Sequence, residues 1–80
     1  MPTQLLSFGV PYTLLTNVVY ALPVAKANVY SGDTTPTLEV SNVVDFAAKT
    51  AVTFTAGVAT LTGLFVRATA GTPTIVLKRD

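Results

Sequence analysis

Hydrophobic and polar residues alternate along most of this chain, and the alternation has a period of two. In residues 37–41, this period places Leu38 and Val40 inward and leaves Thr37, Glu39 and Ser41 outward. In residues 24–30 it separates an apolar from a polar face: Ala25, Ala27 and Val29 against Lys26, Asn28 and Tyr30. A period of two is typical of strands with one buried face, so the chain is predicted to be all-β.

Turn residues divide the chain into six or seven short predicted strands. They are drawn from the segments 4–8, 12–22 (as one strand or as two, broken near Thr16 and Asn17), 24–30, 37–41, 51–55, 58–62, 64–69 and 74–78. Segments 51–55 and 58–62 are predicted to form a hairpin around Ala56 and Gly57, and turns are predicted at 31–36 and 70–73. This spacing favours a single domain over residues 1–80, a small antiparallel β-sandwich with a jelly-roll-like arrangement.

The least regular segment is 42–49. Weak helical spacing would allow one helical turn there, but we expect a loop with Phe46 tucked inward. Four phenylalanines are expected in the core: Phe8, Phe46, Phe54 and Phe65.

Composition indicates that the chain does not function as a free monomer. It has 14 Thr and 12 Val, but charged residues are only 11% and the net charge is +1. A surface with so few charged residues is poorly soluble in water. A domain of 80 residues also buries too little surface to be more than marginally stable. With no Cys and no His, a disulfide or a zinc site cannot add stability. Self-association or docking on a larger assembly is therefore expected. The charge balance gives no field to attract nucleic acid or anionic lipid, and no cofactor or metal is expected.

Residues with catalytic chemistry are sparse. Ser-His and Cys-His nucleophiles are excluded because the base is absent, and the serines are interpreted as turn and surface residues. The acids Asp33, Glu39, Asp45 and Asp80 are interpreted as solvated or salt-bridged groups, not as a glycosidase pair. Asp33 is interpreted as a turn residue and not a calcium ligand. No catalytic residue is therefore predicted.

The uncharged stretch before Lys26 is long enough to raise the question of a membrane span. Three prolines and several polar residues interrupt it, and no basic residue precedes its apolar run. We therefore expect neither a membrane span nor a secretory signal.

The candidate interface residues are three tyrosines and one arginine. Tyr12, Tyr20 and Tyr30 carry a polar group on an apolar ring, which is favoured at protein interfaces. A carbohydrate-binding platform of tyrosines is the alternative. Arg67 lies in an apolar strand, either on a solvated face or paired with a carboxylate of another subunit.

The closing segment of the chain resembles a known group of proteins. Residues 63–80, GLFVRATAGTPTIVLKRD, resemble the last strands of small virion proteins of tailed bacteriophages. Residues 17–23, NVVYALP, and residues 37–42, TLEVSN, are similar to earlier strands of that group. After Glu-Val-Ser-Asn that group often has an Asp-Gly turn, whereas this chain continues Val43-Val44-Asp45. The resemblance implies a head decoration (cement) protein, commonly a trimer, and it carries over no catalytic residue.

The resemblance implies a non-enzymatic structural protein on the capsid surface of the virion, and this is the function we expect. It would stabilise the phage head by bridging shell subunits, with the major capsid protein and copies of itself as partners. The alternatives are a tail, baseplate or fibre component of the virion and a carbohydrate-binding β-sandwich module.

Overall fold

The computed structural model describes residues 3–32 and 35–80, and every helix or strand assigned in these residues is a β-strand. The strands are β1 (Gln4–Leu5), β2 (Pro11–Thr13), β3 (Tyr20–Ala21), β4 (Lys26–Ser31), β5 (Leu38–Ser41), β6 (Thr50–Ala51), β7 (Val58–Thr62), β8 (Phe65–Ala68) and β9 (Thr74–Arg79). They form two sheets whose buried residues share one cluster, which confirms the predicted all-β sandwich. In these residues, no helix is long and apolar enough to cross a membrane.

The two sheets differ in how their strands are connected. The four-stranded sheet has the order β2-β9-β4-β7, and all of its pairs are antiparallel. The five-stranded sheet has the order β1-β3-β8-β5-β6. One pair there departs from the antiparallel pattern, because β1 runs parallel to β3. Between β1 and β3 the chain passes through β2 in the other sheet. When it comes back to the five-stranded sheet, β3 runs in the same direction as β1.

The core lies between the sheets and follows the period-two pattern. Ile75 and Leu77 of β9 are fully buried, as are Leu38 of β5 and Leu61 of β7. The buried residues of the cluster are Leu6, Leu14, Tyr20, Leu22, Val29, Leu38, Val40, Ala59, Leu61, Val66, Ala68, Ile75 and Leu77. Burying such side chains contributes about 1.5–3 kcal/mol each and is the main source of stability.

The predicted strand over 12–22 is two strands in different sheets. β2 pairs with β9, whereas β3 pairs with β8. The chain breaks at the predicted place, since Asn17 has a left-handed φ of 63° and its N–H donates to Ala68 O. Asn tolerates that conformation better than most residues. Nine strands are therefore assigned in the described residues, against six or seven predicted, and segment 12–22 overlaps two of them.

The predicted hairpin around Ala56 and Gly57 is confirmed only at its turn. Thr55 and Val58 exchange two backbone hydrogen bonds, of 2.9 and 3.1 Å. Ala56 and Gly57 have φ values of 52° and 81°, as the tight turns of two-residue hairpins require. Beyond Thr55 the chain leaves β7, and β6 pairs with β5 in the other sheet. β7 pairs with β4 instead.

Segment 42–49 is a loop, as expected, and Phe46 in it is only 5% exposed. Its location was not foreseen, because Phe46 is outside the cluster between the sheets. Phe65 is half-buried and lies opposite Ser41, on the outer side of the five-stranded sheet. Phe8 and Phe54 are half-buried against the core cluster. The expectation of four core phenylalanines is therefore wrong for Phe65, whereas Phe46 is buried as expected but outside the main cluster.

The predicted turn at 70–73 is confirmed, and Gly71 in it has a φ of 68°. Part of the predicted turn at 31–36, including Asp33 and Thr34, lies outside the described residues.

Candidate interface

The outer face of the four-stranded sheet carries an apolar row that crosses all four strands. Tyr30 on β4 lies opposite Val76 on one side and Val58 on the other. Val76 is in turn opposite Pro11 on β2. Directly opposed residues in a sheet point to the same face, so these four side chains form one line. We call Pro11, Val76, Tyr30 and Val58 the Tyr30 row.

The Tyr30 row is accessible on the surface of this chain. Tyr30 is 39% exposed, Pro11 is exposed, and Val58 and Val76 are half-buried. The neighbouring inward residues, Ile75 and Leu77, are fully buried, so the alternation along β9 fixes which face the row occupies. An aromatic ring at the centre of a neutral row is the arrangement common at the centre of protein interfaces.

Neutral polar side chains flank the row on both sides. On one side the hydroxyls of Thr13 and Thr74 lie 3.2 Å apart. On the other side Thr60 donates a hydrogen bond of 3.0 Å to Asn28 Oδ1. These groups satisfy one another within the sheet, so covering them with a partner need not leave a buried polar group unpaired.

Within residues 3–32 and 35–80, the charges on this face lie at one end of the sheet. The Lys78 ammonium is 5.2 Å from the centroid of the Tyr30 ring. Lys26 forms an ion pair of 3.1 Å with Asp80, and both side chains are well exposed. Lys78 is thus the cation that the face presents beside the row.

The other two candidate tyrosines lie elsewhere. Tyr20 is 5% exposed in the core, and its hydroxyl accepts a hydrogen bond of 2.9 Å from the Leu15 N–H. Tyr12 is half-buried against the core, and its hydroxyl accepts one of 2.9 Å from the Ser7 N–H. Each hydroxyl therefore holds a nearby segment of backbone, at Leu15 for Tyr20 and at Ser7 for Tyr12. The three tyrosines share no face, so they do not form a common platform for a sugar.

Arg67 has its carboxylate partner within the same chain. Its Nε and Nη2 donate hydrogen bonds of 3.1 and 3.0 Å to Glu39 Oε1, and Lys49 Nζ lies 3.9 Å from Glu39 Oε2. Its guanidinium carbon lies 4.4 Å from the centroid of the Phe46 ring. Arg67 therefore holds loop 42–49 against the outer face of the five-stranded sheet.

Ser41 anchors the start of the same loop. It points outward as predicted, yet it is 4% exposed because the loop covers it. Its hydroxyl donates to Ala48 O and accepts from the Val43 N–H. The loop therefore covers part of the outer face of the five-stranded sheet.

The side chains that usually hold metal ions are not gathered in the described residues. No cluster of three or more His, Cys, Asp or Glu residues is present there. A surface depression of about 450 Å³ beside the 70–73 turn is lined, in the described part of the chain, by Thr, Pro, Ala and Gly residues.

Comparison with family models, with curated proteins and with solved structures found no match for the chain.

Sequence reasoning foresaw that Tyr30 points outward but did not foresee the row around it. Pro11 and Val76 are far from Tyr30 in the sequence, and only the pairing register brings them alongside it. The alternation in residues 74–78 does predict that Val76 points to the outer face, because Ile75 and Leu77 on either side of it point inward.

Proposed function

We propose that this chain is a non-enzymatic structural protein of a phage virion, a decoration protein on the capsid surface. The resemblance of three segments to small virion proteins suggests the setting. The observation that carries the proposal is the Tyr30 row, an exposed apolar line across the outer face of one sheet. We propose this face as the surface that contacts the major capsid protein.

The composition of the face supports contact with a large protein surface. A specific interface buries about 800 Å² on each partner, with an apolar centre and a polar rim. The Tyr30 row supplies the centre, and the paired hydroxyl and amide groups of Thr13, Thr74, Asn28 and Thr60 supply the rim. Few ion pairs are needed, in keeping with a chain whose charged residues are 11%.

A decoration protein of this kind stabilises a shell by mass action. If the chain binds only where neighbouring shell subunits meet, its binding free energy is lost when the shell opens. The closed shell then becomes harder to disrupt, in proportion to the number of occupied sites. Several copies acting together raise the apparent affinity without any new type of contact.

The position of the chain in virions tests the proposal directly. Particles of the phage that encodes the chain are purified on a density gradient, and an antibody against the chain is used for immunogold electron microscopy. Label over the heads is the expected result. Label confined to tails or fibres assigns the chain to the alternative virion role. Absence of the chain from the particles by mass spectrometry overturns both readings.

Removal of the chain provides the second measurement. Particles from a phage with the gene deleted are heated beside wild-type particles, and DNA release is followed with a dye. We expect the deleted particles to release DNA at a lower temperature, and restoration of the difference when purified chain is added back. Equal release temperatures would contradict the stabilising role.

A further inference from the structure

The Lys78 ammonium lies directly beside the centre of the Tyr30 row. It is 5.2 Å from the centroid of the Tyr30 ring. Lys78 follows Val76 by two positions on β9, so both side chains point to the outer face of the four-stranded sheet. Across the sheet Lys78 is opposite Asn28, which is neutral. The apolar row therefore has a cation next to its aromatic ring.

This ammonium has no carboxylate partner among the described residues. The ion pairs found there join Lys26 to Asp80, and both Lys49 and Arg67 to Glu39. An ammonium only donates hydrogen bonds, and the face of an aromatic ring has no oxygen or nitrogen to accept them. The lysine beside the row is exposed, so water can accept these hydrogen bonds while the face is uncovered.

The other described carboxylates are held in contacts of their own. Asp45 Oδ1 accepts a hydrogen bond of 3.0 Å from the Ala47 N–H, in the loop over the five-stranded sheet. Asp80 is close to Lys78 in the sequence, but its carboxylate lies 3.1 Å from Lys26 Nζ. A movement of Asp80 to Lys78 would leave Lys26 without this partner. Within the described residues, Lys78 is therefore offered no carboxylate that is not already engaged.

A partner that covers the Tyr30 row must also cover this ammonium. At 5.2 Å from the ring centroid, the ammonium is in direct contact with the ring, so a surface packed on the ring removes water from both. Taking water away from a charged group is unfavourable unless a group of opposite charge or a hydrogen-bond acceptor replaces it. A wholly apolar partner would therefore bind this face poorly.

We propose that the protein that covers the Tyr30 row places a carboxylate, from an Asp or Glu side chain, against the Lys78 ammonium. This inference rests on the proposed function and adds the chemistry of the partner, which is an apolar surface with an acidic side chain beside it. An ion pair has an N–O distance of up to about 4 Å, so the carboxylate lies within roughly 9 Å of the centre of the Tyr30 ring.

The ion pair would also set the orientation of the partner on the row. On the other side of the row the neutral hydroxyls of Thr13 and Thr74 lie 3.2 Å apart. A partner turned end for end would place its carboxylate over these hydroxyls and leave the Lys78 ammonium without an anion, which disfavours that orientation. A pair covered by the partner is screened by salt much less than an exposed pair.

Zero-length cross-linking tests the contact in the unmodified chain. The purified chain is bound to capsids that lack it, and a carbodiimide is added, which joins an amine to a carboxyl group when the two are in contact. Mass spectrometry of the digested particles then identifies the linked residues. We expect Lys78 to be linked to an Asp or Glu of the major capsid protein. Bound chain in which Lys78 forms no such link would overturn the proposal.

A pair of matched lysine variants measures the effect of the charge. Lys78→Gln removes the charge beside the row and keeps a polar side chain. We expect its Kd for capsids to rise at least about tenfold, because the carboxylate of the partner loses its charged donor. Lys49→Gln removes an exposed lysine from the loop over the other sheet and should leave the Kd unchanged. Circular dichroism confirms that both variants are folded, and equal Kd values for Lys78→Gln and the wild type would overturn the proposal.

Charge exchange gives the final check. Lys78→Glu places two carboxylates against each other, so it should bind more weakly than Lys78→Gln, and replacing the cross-linked acid of the capsid protein by Lys should restore its binding. If Tyr30→Ala loses binding but Lys78→Gln does not, the capsid role stands and the carboxylate contact is overturned. If the wild-type chain binds vesicles of anionic lipid through Lys78 and does not bind capsids, the inference and the proposed function both fail.

Discussion

Arg67 donates two hydrogen bonds to a single oxygen of Glu39, at 3.1 and 3.0 Å. The two residues face each other across β8 and β5, so the sheet register itself sets this geometry. Both side chains are mostly covered, and the guanidinium also stacks on Phe46. The pair therefore connects the five-stranded sheet to the loop that lies over it.

Replacing Arg67 should loosen that loop. In Arg67→Ala, Glu39 loses its two charge-assisted donors and Phe46 loses the group stacked over it. We expect a loss of about 1–3 kcal/mol in the free energy of unfolding, measured by urea denaturation. Lys26→Ala is the control, because its ion pair with Asp80 is well exposed and should change stability by less than about 1 kcal/mol. Equal effects of the two variants would contradict this role for Arg67.

The tight turn before β7 should respond in opposite directions to substitutions at its two positions. Ala56 has a φ of 52°, which an alanine adopts at a cost and an asparagine adopts more readily. We expect Ala56→Asn to stabilise the chain by about 0.5–1 kcal/mol.

Gly57→Ala at the next position should destabilise the chain. The φ of Gly57 is 81°, and an added Cβ would lie 3.1 Å from Ser31 O, a backbone atom that cannot easily move. We expect a loss of at least about 1 kcal/mol. Thermal unfolding of both variants beside the wild type checks the two signs, and a destabilised Ala56→Asn would show that this is not the turn formed in solution.

Alternation predicted the positions of most strands because each strand of a sandwich buries one face. Residues 74–78, for example, lie entirely within β9, with Ile75 and Leu77 inward as expected. Alternation carries no information on which strands pair. Segment 12–22 was therefore not assigned to two sheets, and segment 51–55 was placed beside β7 although β6 pairs with β5.

The candidate interface could be predicted only in part, for the same reason. The polar neighbours of Tyr30 in residues 24–30 indicate its outward direction, but the register that aligns it with Val76 depends on long-range pairing. Phe46 was expected inward because it is large and apolar. Phe46 is instead buried beneath loop 42–49, outside the main core cluster. Burial of this kind produces no alternating pattern in the sequence, so it could not be predicted.

Removing residues 74–80 should abolish folding. β9 lies between β2 and β4, so its loss leaves β2 without a partner and removes Ile75 and Leu77 from the core. Loss of two large buried side chains costs more than about 4 kcal/mol, a large share of the stability of any small domain. Circular dichroism should show no sheet signal. The control is a chain lacking only Asp80, and a folded 1–73 fragment would contradict the central position of β9.

The final prediction concerns how capsid binding depends on Tyr30 and on salt. Tyr30→Ala removes the ring at the centre of the apolar row while leaving the buried core untouched, so the variant should fold. We expect its affinity for capsids lacking the chain to fall at least about thirtyfold, the loss typical of an interface anchor. Val44→Ala, an exposed apolar residue on loop 42–49, is the matched control and should bind normally. Because the row is apolar and Lys78 is the cation that contacts its central ring, raising the salt concentration should weaken wild-type binding only slightly. Cosedimentation with capsids in low and high salt measures both effects. Normal binding by Tyr30→Ala, or release of the wild-type chain by moderate salt, would remove this face from the proposed contact.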